Sequence, residues 1–127
     1  MSNLVVSNIS DGTTSVGTGY VVNGSAKAWA NFDASGTPSF RVSLNCSSLT
    51  DVGTGLFDVN FTSSMNTSEY VLSGGAAAGL YGVLYSYDSI RTASKLRTYL
   101  VYATDFGGGG AGYDYTTAEV KINGDLA

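Results

Sequence analysis

Apolar side chains recur at every second position through much of this chain, most sharply between Ala26 and Thr62. Ala26, Ala28, Ala30 and Phe32 alternate with Lys27, Trp29 and Asn31. Phe40, Val42, Leu44 and Cys46 alternate with Arg41, Ser43 and Asn45, and Phe57, Val59 and Phe61 flank Asp58 and Asn60. A period of two with one apolar face marks a strand in a sheet covered on one side. The intervening segments, Asp33 to Pro38 and Thr50 to Gly55, are built of turn residues. The pattern therefore predicts a three-stranded antiparallel meander of two hairpins, the nucleus of the fold.

Further runs follow the same rule. Glu69 to Leu72 begins a strand, and Leu80 to Tyr87 places Tyr81, Val83, Tyr85 and Tyr87 on one face. That row has two readings, a stacking surface for sugar rings or ordinary cross-strand packing. In Lys95 to Ala103, apolar residues occupy both faces, which predicts a strand buried on both sides, in a sandwich or under a neighbouring subunit. Thr116 to Asn123 carries Ala118, Val120 and Ile122 inward and Thr117, Glu119 and Lys121 outward. With about eight short strands and no helical period, the expected fold is all-β, an antiparallel β-sandwich of jelly-roll type.

The first 25 residues differ. Leu4-Val5-Val6-Ser7-Asn8-Ile9 is a short apolar run, either an edge strand of the domain or a segment that docks elsewhere, and Gly12 to Ser25 reads as a linker with an apolar island at Tyr20-Val21-Val22. The expected division is a leader over 1–25 and a knob domain over 26–127.

Composition narrows what such a domain does. Charged residues are 13% of the chain and the net charge is −4, so the surface is mostly neutral and polar. The six basic residues are scattered, which argues against a nucleic-acid partner. Met1 to Ile9 has neither the basic region nor the long apolar run of a signal peptide, and no stretch is long enough for a membrane span, so no membrane insertion is expected. Cys46 is the single cysteine and there is no histidine, so the usual catalytic base and zinc ligand are missing and Cys46 reads as a packed thiol. The ten acidic residues are dispersed. The expectation is a non-enzymatic protein with no catalytic residues, no metal site and no cofactor.

Ala28-Trp29-Ala30-Asn31-Phe32, followed by Phe40 to Thr62 (FRVSLNCSSLTDVGTGLFDVNFT), closely resembles a module of tailed-bacteriophage fibre and tail-tip proteins that carries an A-W-V-N-F run and an S-S-I-T-D-N-G-T-G run leading into V-N-F-T. The likeness covers roughly the middle third of the chain. Cys46 stands where the module has an aliphatic residue and Val52 where it has Asn or Asp. The resemblance implies a virion structural protein made in the host bacterial cytoplasm: a homotrimeric fibre or tail-tip knob that contributes to host-surface recognition, or alternatively a capsid decoration, head-fibre or cement protein docked by its N-terminal arm. Its implied partners are copies of itself, other virion proteins of the tail, portal-proximal region or capsid, and a polysaccharide or protein of the host surface.

On this reading Leu4, Val6 and Ile9 are the virion-docking candidates. Trp29, Tyr99 and Val101 are the subunit-interface candidates, with a ligand platform as the other reading of Trp29. Asp105 to Tyr115 is a glycine-rich loop that presents Phe106, Tyr113 and Tyr115, the receptor-contact candidates, although the same rings could pack on adjacent strands. Gly109 to Asp114 matches one copy of a calcium-binding repeat that works only in stacked copies.

Overall fold

In the computed structural model, which describes residues 1–77, 81–86, 90–102 and 110–127, the chain is almost entirely antiparallel β-structure. The elements run β1 (Asn8–Ser10), β2 (Ser15–Gly17), α1 (Thr18–Gly24), β3 (Ala26–Asp33), β4 (Ser39–Leu44), β5 (Cys46–Gly53), β6 (Leu56–Phe61), β7 (Val71–Ala77), β8 (Tyr81–Ser86), β9 (Lys95–Tyr102), β10 (Ala111–Gly112) and β11 (Thr117–Asn123). β1 and β2 form their own small sheet. All the others belong to one sheet ordered β4-β3-β11-β7-β8-β9-β6-β5, with β10 added alongside β9 beyond the end of β6. The sheet rolls into a nearly closed barrel. The two stacked sheets expected from the sequence are thus one hydrogen-bonded surface, and the expected meander is split into two hairpins, β3–β4 and β5–β6, at its opposite ends, with β9, β8 and β7 in reverse order beside β6 and β11 between β7 and β3.

Closure depends on a break that alternation alone hides. The run from Phe40 to Cys46 is not one strand, because Asn45, the only non-glycine residue with positive φ among the described residues, turns the chain there at φ 54°. β4 and β5, the two edges of the sheet, are therefore joined through a single residue. Asparagine tolerates the left-handed conformation. Here its side chain locks it, since Oδ1 accepts from Ser63 N at 2.7 Å and Nδ2 donates to Ser63 O at 3.0 Å.

A second local feature reverses part of the expected core. Phe32 pairs with Phe40 but Asn31 pairs with Val42, so Arg41 is an extra, bulged residue. Phe40 points inward, its ring edge-on to Phe32 at 6.5 Å, whereas Val42 and Leu44 turn outward and are 53% and 48% exposed. The other expected inward faces hold: Ala28, Ala30, Phe32, Phe57, Val59, Phe61, Ala118, Val120 and Ile122 are all buried, with Leu96 and Leu100 of β9. Alanines on β3 and β11 leave room for the rings of Phe32 and Phe57, which meet edge-on at 6.1 Å.

Both ends of the barrel are plugged. At the base, where β3 begins and β11 ends, Met65 and Tyr70 are buried, and Tyr70 Oη donates to the carbonyls of Thr92 and Lys95. Burial pushes that phenol up to about 12. Arg91 lies over the ring at 4.3 Å. At the opposite rim Tyr115 is fully buried, with Oη donating to Val101 O at 3.2 Å and its own carbonyl accepting from Ala34 N at 2.9 Å.

Asp58, expected on a solvent face, does point outward from β6 but is buried beneath two cations of β9. Arg97 Nε and Nη2 reach its two oxygens at 2.5 and 2.8 Å, and Lys95 Nζ reaches Oδ2 at 2.7 Å. The Arg97 hydrogen bond is the largest influence and holds the carboxyl below its ordinary value of 3.8, against the opposing effect of burial.

Replacing Asn45 by Ala keeps a β-carbon in the left-handed region but removes both bonds to Ser63 that hold it there, at a cost of about 2–3 kcal/mol in urea unfolding. Asn45→Gly, which keeps the backbone conformation, recovers part of that loss. Asp58→Ala leaves two partly covered cations without their partner and destabilises the barrel by about 2–4 kcal/mol at pH 7. Because the folded state lowers the Asp58 pKa, its contribution is present above the unfolded value near 3.8 and fades as pH falls through the lower folded value. The gap between wild type and Asp58→Ala in urea midpoints should accordingly be full at pH 6 and narrow below pH 4.

Candidate functional site

The leader is where the chain leaves most undone. Its hairpin is set by Asp11, whose Oδ1 accepts the N–H groups of Thr13 and Thr14 at 2.9 and 2.8 Å, with Gly12 at φ 97° completing the turn. Ile9 then faces Val16 across the β1–β2 pair. The expected linker is instead this hairpin followed directly by α1, a seven-residue helix. α1 starts without a side-chain cap, but Thr18 ties it to the segment before β1, its N–H donating to Ser7 O at 2.9 Å and its Oγ1 to Val6 O at 2.9 Å. At the other end Asn123 Nδ2 donates to Gly24 O at 2.7 Å, and Lys27 Nζ reaches Ser25 O at 3.1 Å, which fastens the leader to the base of the barrel.

All of these restraints are polar. No residue in 1–25 is buried. The docking candidates Leu4, Val6 and Ile9 line one groove of about 350 Å³ together with Val5, Val21 and Val22, and Leu4 is 84% exposed. The structure thus brings the three together and adds the apolar island whose signal was already visible at Tyr20-Val21-Val22. The alternative of an edge strand in the main sheet is overturned, since β1 pairs only with β2.

The interface candidates do not form one patch. Trp29 faces outward from β3, half-buried and cross-strand from Leu44 and Lys121. Tyr99 faces outward from β9, beside Leu56 and Tyr85, with β11, β7 and β8 between it and Trp29. Val101 is only 4% exposed and is covered by its own chain, because Gly110 sits so close that a β-carbon there would lie 3.4 Å from Val101 Cβ. It offers nothing to a neighbouring subunit.

The receptor-contact candidates also separate. Phe106 lies outside the described residues, as does Tyr87 of the tyrosine row. Tyr115 is the rim plug and cannot touch a receptor. Tyr113 is 39% exposed but stands edge-on to Tyr102 at 6.0 Å and to Tyr115 at 4.9 Å. Aromatic packing accounts for the described part of this loop. Asp114, the acidic residue of the calcium-like pattern, accepts from Gly55 N at 2.6 Å. It braces Gly55, which at φ 73° approaches so near β9 that a β-carbon would fall 2.3 Å from Leu100 O.

The described residues contain no cluster of three metal-ligating side chains and no helix long and apolar enough to cross a membrane. Cys46, half-buried with Sγ near the carbonyls of Leu44 and Trp29 at 3.4 and 3.5 Å, has its thiol pushed up to about 11 by burial. It is a poor nucleophile. Comparison with protein-family models, curated proteins and solved structures finds no match.

Since the leader contributes no buried side chain, deleting residues 1–25 should leave the melting temperature of the barrel within about 3 °C of the full chain, measured by circular dichroism at a dilution where self-association contributes nothing. A larger fall would mean that the core extends into the leader.

Proposed function

We propose that this chain is a non-enzymatic structural protein of a tailed-phage particle, a homotrimeric fibre or tail-tip protein that contributes to host-surface recognition. The observation that carries the reading is the leader, an ordered arm whose apolar residues are all uncovered, attached to a barrel that fills its own core. Contiguous apolar surface of this kind is covered in the working state, by a subunit or a partner. Asp11 is the only charged side chain in residues 1–25, so several arms can gather around one axis with little like-charge repulsion. Val42 and Leu44 extend apolar surface along the outside of β4 towards the end from which the arm leaves.

The resemblance of Ala28–Phe32 and Phe40–Thr62 to phage fibre and tail-tip modules supplies the setting, a virion assembled in a bacterial cytoplasm. Recognition would then come from many weak contacts multiplied by valency. A non-enzymatic role accords with the inert Cys46 thiol and with the occupation of Asp33, Asp58 and Asp114 in structural bonds. The same arm also suits a second reading, a decoration or cement protein docked on the capsid, which changes the place of the chain and not its construction.

Light scattering of the purified chain at micromolar concentration should give the mass of a trimer, and Leu4→Asp combined with Val6→Asp should give a monomer with an intact barrel. A monomeric wild type would overturn the trimer. Electron cryomicroscopy of the particle then separates the readings: three-fold density at the tail or fibre tip for the first, copies across the head lattice for the second.

A further inference from the structure

The outer face of the barrel over β3, β11 and β7 carries a feature the leader does not explain. Three rows of side chains cross these strands there. Trp29 pairs with Lys121 and Lys121 with Ser73; Asn31 pairs with Glu119 and Glu119 with Gly75; Thr117 pairs with Ala77. Beyond Val71 at its start, the outward positions of β7 are therefore Ser73, Gly75 and Ala77, all small, while the neighbouring strands carry a tryptophan, a lysine, a glutamate and an asparagine. The result is a trough along β7, formed by two adjoining depressions of about 350 and 250 Å³ that share Glu119.

Its polar wall is organised before any ligand arrives. Asn31 Nδ2 donates to Glu119 Oε1 at 2.8 Å. Arg41, the bulged residue of β4, reaches Thr117 Oγ1 at 2.9 Å, Asn31 Oδ1 at 3.4 Å and Asp33 Oδ2 at 3.1 Å, and also the carbonyl of Thr116. Lys121 balances Glu119 in the lining of the trough, and Arg41 is paired with Asp33 beside it, so the trough has no net charge. It offers donors from Lys121 and Ser73, acceptor capacity on Glu119, and an indole at one end.

We propose that this trough binds a neutral, linear oligosaccharide. Sugar rings present apolar C–H faces that stack on an indole, and a rim of hydroxyls that both donate and accept, which is the balance found here. An anionic or cationic polymer would meet a like charge within the trough. An extended peptide would gain no backbone pairing, since β11 is flanked by β3 and β7 and the trough lies over a sheet face, not an edge. The inference rests on the host-recognition reading and gives that recognition a location, on the barrel wall over β3, β11 and β7.

Trp29 is the only tryptophan, so fluorescence excited at the red edge of its absorption, where the nine tyrosines do not absorb, reads this site alone. Titration with maltohexaose, cellohexaose, laminarihexaose and mannohexaose should give a saturable shift with at least one of them. Gly75→Leu fills the trough without strain, because a β-carbon at Gly75 meets nothing within 4 Å and its φ is not positive. It should weaken the response by roughly tenfold or more, and Lys121→Ala by several-fold, both with unchanged melting temperature. No saturable shift with any of the four sugars, an undiminished shift in both variants, or a response confined to oligogalacturonate would each overturn the inference. Oligomer mass and particle incorporation of Gly75→Leu distinguish this failure from failure of the broader reading. If both are retained and no sugar binds, only the trough is lost, whereas a chain absent from the particle removes the functional reading and this inference with it.

Discussion

The barrel depends on one residue adopting a conformation that side chains seldom accept. A sheet of this order has two edges, β4 and β5, each offering unpaired backbone groups to any passing strand. Asn45 brings them together by turning the chain within a single peptide unit, and Ser63 holds it there from both sides of the amide. Because Ser63 follows β6, the same pair of bonds also fixes where the β5–β6 hairpin ends and where the crossing to β7 begins. Thr62 N donating to Asn45 O at 3.2 Å closes this small polar knot.

Around that corner the interior is filled by contrast of size. Small residues on β3 and β11 face large ones on β6 and β9, and the two ends are stopped by rings, Tyr70 and Tyr115, whose hydroxyls find backbone carbonyls. A tyrosine suits the end of a barrel because its body belongs to the core and its tip to the polar backbone at the mouth. Asp58 plays a corresponding part outside, fastening β6 to β9 with one carboxylate shared by two cations. Such a group gives register more than raw stability, since it fits only one alignment of the two strands.

The sequence makes the strands legible and leaves their curvature hidden. Ala28 to Phe32, Phe57 to Phe61 and Ala118 to Ile122 show their inward faces by alternation alone, and those faces are the observed core. Val42 and Leu44 alternate just as well, yet one bulged residue, Arg41, reverses them, and nothing in a period of two announces a bulge. Asn45 is equally silent, since its left-handed conformation is set by Ser63, eighteen residues on. The loop aromatics illustrate a different ambiguity. Tyr113 and Tyr115 look alike in a glycine-rich segment, but one is half-covered and the other is a plug, and only the position of Ala34 and Val101 decides which. Apolarity was readable in Leu4, Val6 and Ile9, but not that a hairpin and short helix would gather them into one groove. No alternation marks the trough, because its floor consists of residues notable for the side chains they lack, at Ser73, Gly75 and Ala77.

The position of the arm also has a mechanical side. It joins the barrel at Ala26, the first residue of β3, which is hydrogen-bonded to β4 on one flank and β11 on the other. A pull on the arm in line with β3 would load two ladders of bonds at once in shear. Peeling would break those bonds one at a time. Were the arm an anchor, a tether attached in this way would let the barrel sustain tension without unravelling from that end.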